Sequence, residues 1–495
     1  MRFGSVIFAL IALLLTAPGA RSQTNTVRTM SLAECIRMAV EHNFDVQIQR
    51  LGPVIARFDI EGSYSVYDPV LEASAIHDSN TREGGLNSFT GEPFPSTTTE
   101  NNNFGAGLRG ASPWGLTYNL TPTLNHRTGT SRGSDFDFYE GRAGVTLRQP
   151  LLRDFLIDAG RQNILVAKKN LHISEAALAS EMMTVVSRVE VAYLDLIFTR
   201  ENIKVQEKAL ELAERLLAEN RKRVEVGTLA PLDEKQAEAE VAARLTDVVE
   251  ARQAHFIQQN VLKNLLTDDF RAWHAVEIVP EEKLIAVKEM PDLHESWHRG
   301  LRQRPDLQQS RLDLEKRDIQ VRFTRNQTLP SVDLVGSYGH NGLDSNVGGV
   351  FEDKAVGRSP FYSAGVVFSM PLSNRGPRNA YRASKAEREQ AQLRLRQLEQ
   401  AVLVQIDDAV KRTRTTFERV EATRKARQFA EAALDAEQRK LEAGKRTSFV
   451  VLQLQKDLTA ARSAEIRALA DYNKALSELA FNEGSTLEKN QLSLK

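Results

Sequence analysis

The 495-residue sequence predicts an α+β membrane protein, in which strands form an outer-membrane β-barrel and long helices continue it as a coiled-coil barrel. Three observations predict this fold class. A secretory signal opens the chain, several segments alternate apolar and polar residues with a period of two, and very long helical segments repeat apolar residues every seven positions. The same order of segments occurs twice, which predicts an internally duplicated protomer.

The N-terminus has the parts of a secretory signal peptide. An apolar run from Val6 to Leu15 follows Met1 and Arg2, and small residues come next, so residues 1–22 are assigned to the signal. No later segment reaches the roughly 18 consecutive apolar residues of a membrane-spanning helix. If the mature chain enters a membrane, we therefore expect it to do so as strands.

Composition argues against several classes of protein. The 65 lysines and arginines equal the 65 aspartates and glutamates, so no basic surplus indicates a nucleic-acid partner. Cys35 is the only cysteine, and an exported chain with one thiol has no disulfide framework. Because Cys35 does not directly follow the apolar run, we also expect no lipid anchor.

The first predicted repeat, residues 23–290, opens with a helix and continues with strands over residues 68–151. Ser31 is the expected N-cap of that helix, with Glu34 three residues later as in a capping box. The strands are predicted from alternation of apolar with small or polar residues. The alternating apolar residues are Phe104, Ala106, Leu108, Leu116, Tyr118, Leu120, Ala143, Val145 and Leu147.

Two long helices complete the first repeat, over residues 159–226 and 233–267. The first of them would be roughly 100 Å long at 1.5 Å per residue, which no compact domain requires. A strict apolar repeat of seven demands a neighbouring helix and imposes left-handed supercoiling. Its members are Met182, Val189, Leu196, Ile203, Leu210, Leu217 and Val224.

The second predicted repeat, residues 291–484, has the same order of elements. Each repeat interrupts its long helices with a glycine turn, at Gly227 and at Gly444, and these glycines lie 217 residues apart. A tail over residues 485–495 follows. The predicted elements of the second repeat are a helix over 293–327, strands over 329–371 and helices over 378–442 and 446–481.

Secreted strands with one apolar face suit an outer-membrane barrel, in which that face contacts lipid. A soluble β-sandwich is the alternative, and the signal and the long helices favour the barrel. Two strands per repeat are too few to enclose a pore, so several copies are expected to close it. The segment from Asn103 to Leu124 adds a hairpin to the first repeat. It either joins the barrel or folds outside it.

The whole mature layout resembles the TolC family of outer-membrane efflux channels. The resemblance rests on segments that are weak singly and specific in this order: "SLAECIRMAVEHN", "RQPLLRD", "RVEVGTLAPLDEKQAEAE", "RQRPDLQQSRLDLEKRDIQVRFTRNQTLPSVDLVGSYG" and "KLEAGKRTSFVVLQLQKD". It implies a homotrimer with its barrel in outer-membrane lipid and its helical tunnel in the periplasm. It also implies a passive exit duct for tripartite efflux or type I secretion. A periplasmic adaptor (membrane fusion protein) would join it to an inner-membrane RND, ABC or MFS transporter.

The resemblance places an adaptor-docking tip at the two glycine turns. The alternative is turn formation alone, because glycine adopts positive φ without steric cost. The tip residues are Val226, Gly227, Thr228 and Leu229 in the first repeat and Ala443, Gly444, Lys445 and Arg446 in the second.

Asp233 and Arg446 match family positions that form a latch closing the tunnel mouth. The alternative is two solvated charges, since an exposed ion pair contributes only about 0–1 kcal/mol. The sequence departs from the family where Leu441 replaces an aromatic latch partner. Val450 and Gln453 replace acidic constriction residues, which argues against cation block at an acidic ring.

Catalytic and cofactor sites are not predicted. Residues 105–110, "GAGLRG", match a dinucleotide fingerprint but stand in a predicted strand rather than before a helix. The nine histidines show no metal-ligand spacing, and no nucleophile has a partnering base. We therefore expect no enzyme activity, no metal and no cofactor.

Two other functions remain open at this point. One is a trimeric coiled-coil surface or structural protein with a β-barrel anchor, although a fibre would use one parallel helix per chain. The other is the periplasmic adaptor itself, which would carry one helical hairpin and soluble β modules. The cargo is not readable from the sequence.

Overall fold

The structure is a computed structural model that describes residues 26–86, 88–131, 134–352, 359–443, 445 and 447–492. The predicted signal peptide, residues 1–22, lies outside this part. The chain divides into two compact units. The first contains residues up to Gln49, Ala179–Arg304 and residues from Val402 onward, and the second contains Arg50–Leu178 and Pro305–Ala401.

Helices account for most of the described residues. They are α1 Leu32–His42, α2 Phe44–Ser63, α3 Ala159–Glu225, α4 Pro231–Leu266, α5 Phe270–Trp273, α6 Leu293–Gln303, α7 Pro305–Gln327, α8 Val347–Phe351, α9 Arg375–Glu442, α10 Ser448–Glu483 and α11 Thr486–Lys489, with a 3₁₀ turn at Tyr64–Tyr67.

The strands lie before α1, between α2 and α3, between α5 and α6, and between α7 and α9. They are β1 Thr26–Met30, β2 Val70–Arg82, β3 Gly85–Leu86, β4 Pro93–Phe94, β5 Thr97–Ala111, β6 Thr117–Leu120, β7 Thr123–Ser131, β8 Ser134–Pro150, β9 Val276–Pro280, β10 Ser331–Asp344 and β11 Pro360–Ser369.

The N-cap expected for the first helix is confirmed. The Ser31 hydroxyl accepts a hydrogen bond of 3.2 Å from the Glu34 backbone N–H and so satisfies one of the free donors of the first turn. The helix ends at His42 because Asn43 is extended, and α2 then starts directly. The Asn43 side chain accepts from the Asp45 backbone N–H at 2.9 Å.

A single helix over residues 293–327 was a wrong prediction. Arg304 is extended, with φ −61° and ψ 125°, and separates α6 from α7. Its neighbour Pro305 causes the break, because the proline ring disfavours the helical conformation of the preceding residue. Pro305 then occupies the first position of α7, where its missing N–H costs nothing.

The long helices form two pairs of matching length. α3 and α9 have 67 and 68 residues, and α4 and α10 have 36 residues each. In α3 the repeat of seven begins with Met182, Val189 and Leu196, all of which are buried. The later members of the repeat, Ile203, Leu210, Leu217 and Val224, are half-buried.

The large sheet lies wholly within the second unit, and all its strand pairs are antiparallel. Its order is β11-β10-β8-β6-β5-β2, and β7 also pairs with β5 and β8. The short strands β6 and β7 therefore share one position, separated by Thr121 and Pro122. The hairpin that the sequence left unplaced lies inside the sheet, between β2 and β8.

A small parallel sheet, β1 with β9, lies in the first unit. The chain that follows β9 is held by two fully buried tyrosines. The Tyr193 hydroxyl contacts the Glu282 carboxylate and accepts from the Glu281 N–H at 3.2 Å. The Tyr472 hydroxyl donates to the Val287 carbonyl at 2.5 Å. These contacts anchor the start and the middle of the segment that leads to α6.

Candidate functional site

The first predicted docking turn joins α3 to α4. Gly227 has φ +74°, a conformation that side chains disfavour, and its N–H donates to the Val224 carbonyl at 3.0 Å. The Thr228 N–H and hydroxyl both donate to the Arg223 carbonyl, at 2.8 and 2.9 Å. These bonds satisfy the free carbonyls at the end of α3, and Pro231 then starts α4.

The second predicted docking turn joins α9 to α10. The Ala443 N–H donates to the Arg439 carbonyl at 3.1 Å, and the Lys445 N–H donates to the Lys440 carbonyl at 2.9 Å. Thr447 is the extended residue before α10. Gly444 and Arg446 lie outside the described residues.

Two side-chain hydrogen bonds join the two turns. The Ser448 hydroxyl donates to the Asp233 carboxylate at 2.8 Å, and the Arg223 guanidinium donates to the Leu441 carbonyl at 3.1 Å. Asn220, in the last turns of α3, also donates to the Asp233 carbonyl at 3.3 Å. The ends of the two helical hairpins are thus fastened to each other within one protomer.

An apolar cluster of buried side chains lies beside the two turns. It contains Leu216 of α3 together with residues of α9 and α10. Because these side chains come from three helices, their burial holds the two hairpins together at the turns. The other members are Leu434, Leu441, Val451, Leu452 and Leu458.

Leu441, which the resemblance to the TolC family aligned with an aromatic latch partner, is 4% exposed in this cluster. Its side chain is therefore a packing residue in the protomer. Of the two residues that the resemblance aligned with acidic constriction positions, Val450 is half-buried and Gln453 is exposed. Gln453 donates to the Asp457 carboxylate at 3.1 Å. The partner expected for Asp233, Arg446, lies beyond the described residues, so the latch stays a prediction.

Large apolar side chains are exposed around the turns. Val226 precedes Gly227, Leu232 follows the first turn and Phe449 follows the second, and they are 72%, 67% and 60% exposed. Leu232 and Phe449 were missed by the sequence analysis, as were Ser448 and Arg223. The available signal was position, because Leu232 and Phe449 each occupy the second residue of the helix that leaves a turn.

The large sheet has one apolar face. Residues paired directly across neighbouring strands share a face, so the register assigns each side chain. The exposed apolar face, named face A, contains Leu71, Ala73, Ala75, Phe104, Ala106, Leu108, Tyr118, Leu120, Leu124, Ala143, Val145, Leu147, Leu334, Tyr338, Tyr362, Ala364, Val366 and Phe368.

The opposite side of the sheet, named face B, carries most of the charged pairs of the sheet and also the apolar Ile76, Val335, Phe361 and Val367. Arg109 pairs with Glu72 at 2.6 Å, and Arg148 donates to the buried Asp333 at 2.6 Å. The second pair links β8 of the first half of the chain to β10 of the second half. Face B also carries Ser74, Asn101, Asn103, Asn119, Asn125, Thr146 and Ser337.

Within the described residues, no helix is both long enough and apolar enough to span a bilayer. The same residues contain no cluster of histidine, cysteine, aspartate or glutamate side chains that could bind a metal ion. The "GAGLRG" motif lies inside strand β5.

Comparison with known proteins identifies similar chains over most of the sequence. The family model described as "Outer membrane efflux protein" matches residues 117–267 and 298–484. The curated outer membrane efflux protein BepC of Brucella suis biovar 1 (strain 1330) is 23% identical over 380 residues, which cover 76% of this chain and 78% of BepC.

Solved structures share the fold. The CmeC outer membrane channel of Campylobacter jejuni aligns with a TM-score of 0.65 and 16% identity, over 92% of this chain and 86% of that one. The outer membrane protein VceC of Vibrio cholerae aligns with a TM-score of 0.66 and 17% identity, over 92% and 96%. For the MtrE outer membrane channel of Neisseria gonorrhoeae the values are 0.64 and 16%, over 92% and 89%.

Proposed function

The chain belongs to the outer membrane efflux protein family, and from this membership we propose that it is the trimeric exit duct of a tripartite efflux system. In this proposal its sheet contributes to a β-barrel in the outer membrane and its long helices line a tunnel in the periplasm. The duct is passive, and the energy comes from an inner-membrane transporter.

The observation that carries the proposal is face A. A soluble protein rarely exposes so many neighbouring apolar side chains, among them Leu71 at 78% and Tyr362 at 84%. Such a face is suited to contact with the hydrocarbon of a bilayer, and face B would then line a water-filled lumen. Within the described residues, β2 and β11 each pair on one side only. Strand edges are not tolerated in lipid, so further copies must pair with them.

An unpartnered seam on α2 supports association with further copies. Its members recur at alternating spacings of four and three residues, the pattern of a coiled-coil contact. All are at least 57% exposed in the protomer, so another chain is their natural partner. The seam consists of Phe44, Ile48, Leu51, Ile55 and Phe58.

The matched helix pairs support an internal duplication. Two pairs of 67 and 36 residues and of 68 and 36 residues would place six pairs in a trimer. Pairs of nearly equal length around one axis can close a tunnel with a level end. We propose that the helix-to-helix turns form that end, at the periplasmic mouth.

The mouth is the proposed docking site for the helical hairpin of a periplasmic adaptor. The exposed Val226, Leu232 and Phe449 supply apolar anchors of the kind that dominate protein interfaces. The adaptor would link the duct to an RND, ABC or MFS transporter, and a type I secretion system would use the same parts. We propose Asp233 and Arg446 as a charge latch that biases the mouth closed.

Reconstitution tests this function. The purified mature protein is expected to be trimeric by light scattering with detergent correction, and to produce discrete conductance steps in a planar bilayer. A stable monomer in detergent-free buffer that never conducts ions would contradict the proposal. Exchanging Val226 and Phe449 for serine tests docking separately. It should weaken the capture of a cognate adaptor and leave trimer and conductance unchanged.

A further inference from the structure

The hairpin between β2 and β8 lies within the sheet rather than beside it. β2 pairs with β5 along the whole length of β2, from Val70 opposite Arg109 to Arg82 opposite Thr97. On the other side, β6 and β7 together bridge β5 and β8. The protomer therefore offers six strand positions, four from the first half of the chain and two, β10 and β11, from the second.

We infer that this hairpin is part of the lipid-facing wall, so that the trimeric channel has an eighteen-stranded barrel with a wide lumen. The inference rests on the proposed trimer, since three copies of six strand positions make eighteen. A protomer with two strands per half would give twelve. The occupant of face A on the hairpin is the hydrocarbon of the outer membrane, and the occupant of each sheet edge is a second copy of this chain.

The apolar side chains of the hairpin continue face A of the neighbouring strands as far as Phe104 and Leu124, beyond which the same face carries His77, Asn102 and His126. Phe104 of β5 lies opposite Ala75 of β2 and Leu124 of β7, and all three belong to face A. Further along, Tyr118 of β6 lies opposite Leu147 of β8. A hairpin that folded outside the membrane would have no reason to keep its apolar residues in register with those of its neighbours.

The direction of the strands agrees with an integral hairpin. Two added strands return the chain to the same end of the sheet, so β8 still leads directly into α3. The turn at that end is short, with Ser112 accepting from the Gly115 N–H at 2.9 Å, and Gly115 has φ +92°. β2 and β11 run in opposite directions, as the pairs across the sheet require, so the edge of one copy can pair with the opposite edge of the next.

The hairpin widens the lumen and adds polar side chains to its wall. Barrel diameter grows roughly linearly with strand number, so eighteen strands enclose a lumen about one and a half times as wide as twelve. On face B the hairpin carries the short residues Asn101, Asn103, Gly105, Gly107, Asn119 and Asn125 together with the longer Arg109 and Arg127. The part of the lumen wall that the hairpin contributes is therefore polar and includes two basic side chains.

Spin labelling tests the position of the hairpin. Cys35 is replaced by alanine, and single cysteines are introduced by Phe104→Cys and Asn103→Cys in β5. The matched pair Tyr338→Cys and Ser337→Cys in β10 samples a strand outside the hairpin. Each labelled trimer is reconstituted into liposomes, and collisions of the nitroxide with oxygen, which partitions into lipid, and with a water-soluble nickel chelate are measured.

The two pairs separate this inference from the proposed function. Labels at positions 104 and 338 are expected to collide with oxygen severalfold more often than labels at 103 and 337 do. Labels at 103 and 337 are expected to collide severalfold more often with the nickel chelate. If 338 and 337 alternate while 104 and 103 are both exposed to nickel, the hairpin lies outside the membrane and the inference is wrong. If 338 is exposed to nickel as well, the barrel itself is wrong. Cryo-electron microscopy of the trimer then counts the strands, and twelve would also overturn the inference.

Discussion

The Ser448 hydroxyl lies 2.8 Å from the Asp233 carboxylate and donates a hydrogen bond to it. Ser448 is the first residue of α10 and is fully buried, whereas Asp233 lies in the first turn of α4. The bond therefore ties together the starts of the two helices that leave the proposed docking turns. It also means that the acidic residue of the proposed latch already has one partner inside its own protomer.

Replacing Ser448 by alanine removes this hydrogen bond and preserves the charge of Asp233. A hydrogen bond to a charged group contributes about 1.5–3 kcal/mol, and half-burial of Asp233 places the expected loss at the lower end. Amide exchange in the first turns of α4 and α10, followed by mass spectrometry, should be about tenfold faster. Exchange identical to that of the parent protein would show that the bond does not hold the turns.

Replacing Asp233 by asparagine is the matched change, because it keeps an acceptor for Ser448 and removes the charge. If a charge latch with Arg446 closes the mouth, Asp233→Asn should raise single-channel conductance more than Ser448→Ala does. Planar-bilayer recordings of both variants measure this. Equal conductance of Asp233→Asn and the parent protein would leave the latch without support.

Gly227 and Gly62 give a matched pair for backbone strain. A methyl group added at either glycine meets nothing within 4 Å, but only Gly227 has positive φ, at +74°. Gly227→Ala should therefore cost about 1 kcal/mol, whereas Gly62→Ala, near the end of α2, should stabilise its helix by up to about 1 kcal/mol. Amide exchange should become faster near residue 227 and slower near residue 62. A change of the same sign at both sites would show that positive φ does not explain the loss at Gly227.

Cys35 should be inert in the folded protein. It is fully buried in α1, and burial, aided by Glu34 and Glu282, raises the pKa of its thiol from 9.0 to about 12. A thiol reagent at pH 8 is expected to label it only in denaturant, whereas Val27→Cys, at a position 60% exposed, should react at once in a Cys35→Ala background. Rapid labelling of native Cys35 would show that α1 opens readily.

The raised pKa of the Cys35 thiol also predicts that the stability of the folded protein depends on pH. The folded pKa of Cys35 lies above the unfolded one, so the unfolded chain releases its proton first as the pH rises past 9. The contribution to stability is therefore complete below pH 9 and falls between pH 9 and about pH 12. Alkaline denaturation of Cys35→Ala should be shallower over this range than that of the parent protein.

The buried tyrosines that anchor the segment after β9 should both contribute to stability. Tyr193→Phe removes the acceptor for the Glu281 N–H, and Tyr472→Phe removes the donor to the Val287 carbonyl. An unsatisfied buried polar group costs about 1–3 kcal/mol, so each change should lower the unfolding temperature measured by circular dichroism. Tyr362→Phe, at a site 84% exposed, serves as the control. A loss of the same size in this control would refute the explanation.

Much of the secondary structure was predictable because its signals are local. The repeat of seven predicted a helix over residues 159–226, and α3 spans Ala159–Glu225. Alternation placed Phe104, Ala106 and Leu108 on one face of a strand, and all three lie on face A of β5. The membership of the TolC-like efflux family, inferred from motifs in a fixed order, is confirmed by the family match.

Prediction from the sequence was weaker for the ends of helices and for hydrogen-bond partners that are distant in sequence. The helix expected over 293–327 is divided at Arg304, because the conformational effect of Pro305 outweighed the helical pattern on both sides. At the docking turns, the glycines were recognised, but the bond from Ser448 to Asp233 was not. That bond joins residues 215 positions apart, and no local pattern encodes it.

The sequence by itself determined the apolar and polar sides of the strands that alternate, the long helices and the glycines between them, and it predicts the export signal. These follow from periodicity and from the backbone freedom of single residues, which act over a few positions. Only the tertiary structure decided that the extra hairpin stands between β2 and β8, and that Ser448 reaches Asp233. Strand partners and hydrogen bonds between helices depend on contacts between segments that are distant in sequence. The alternation of apolar and polar residues in a strand is the same whichever strand it pairs with.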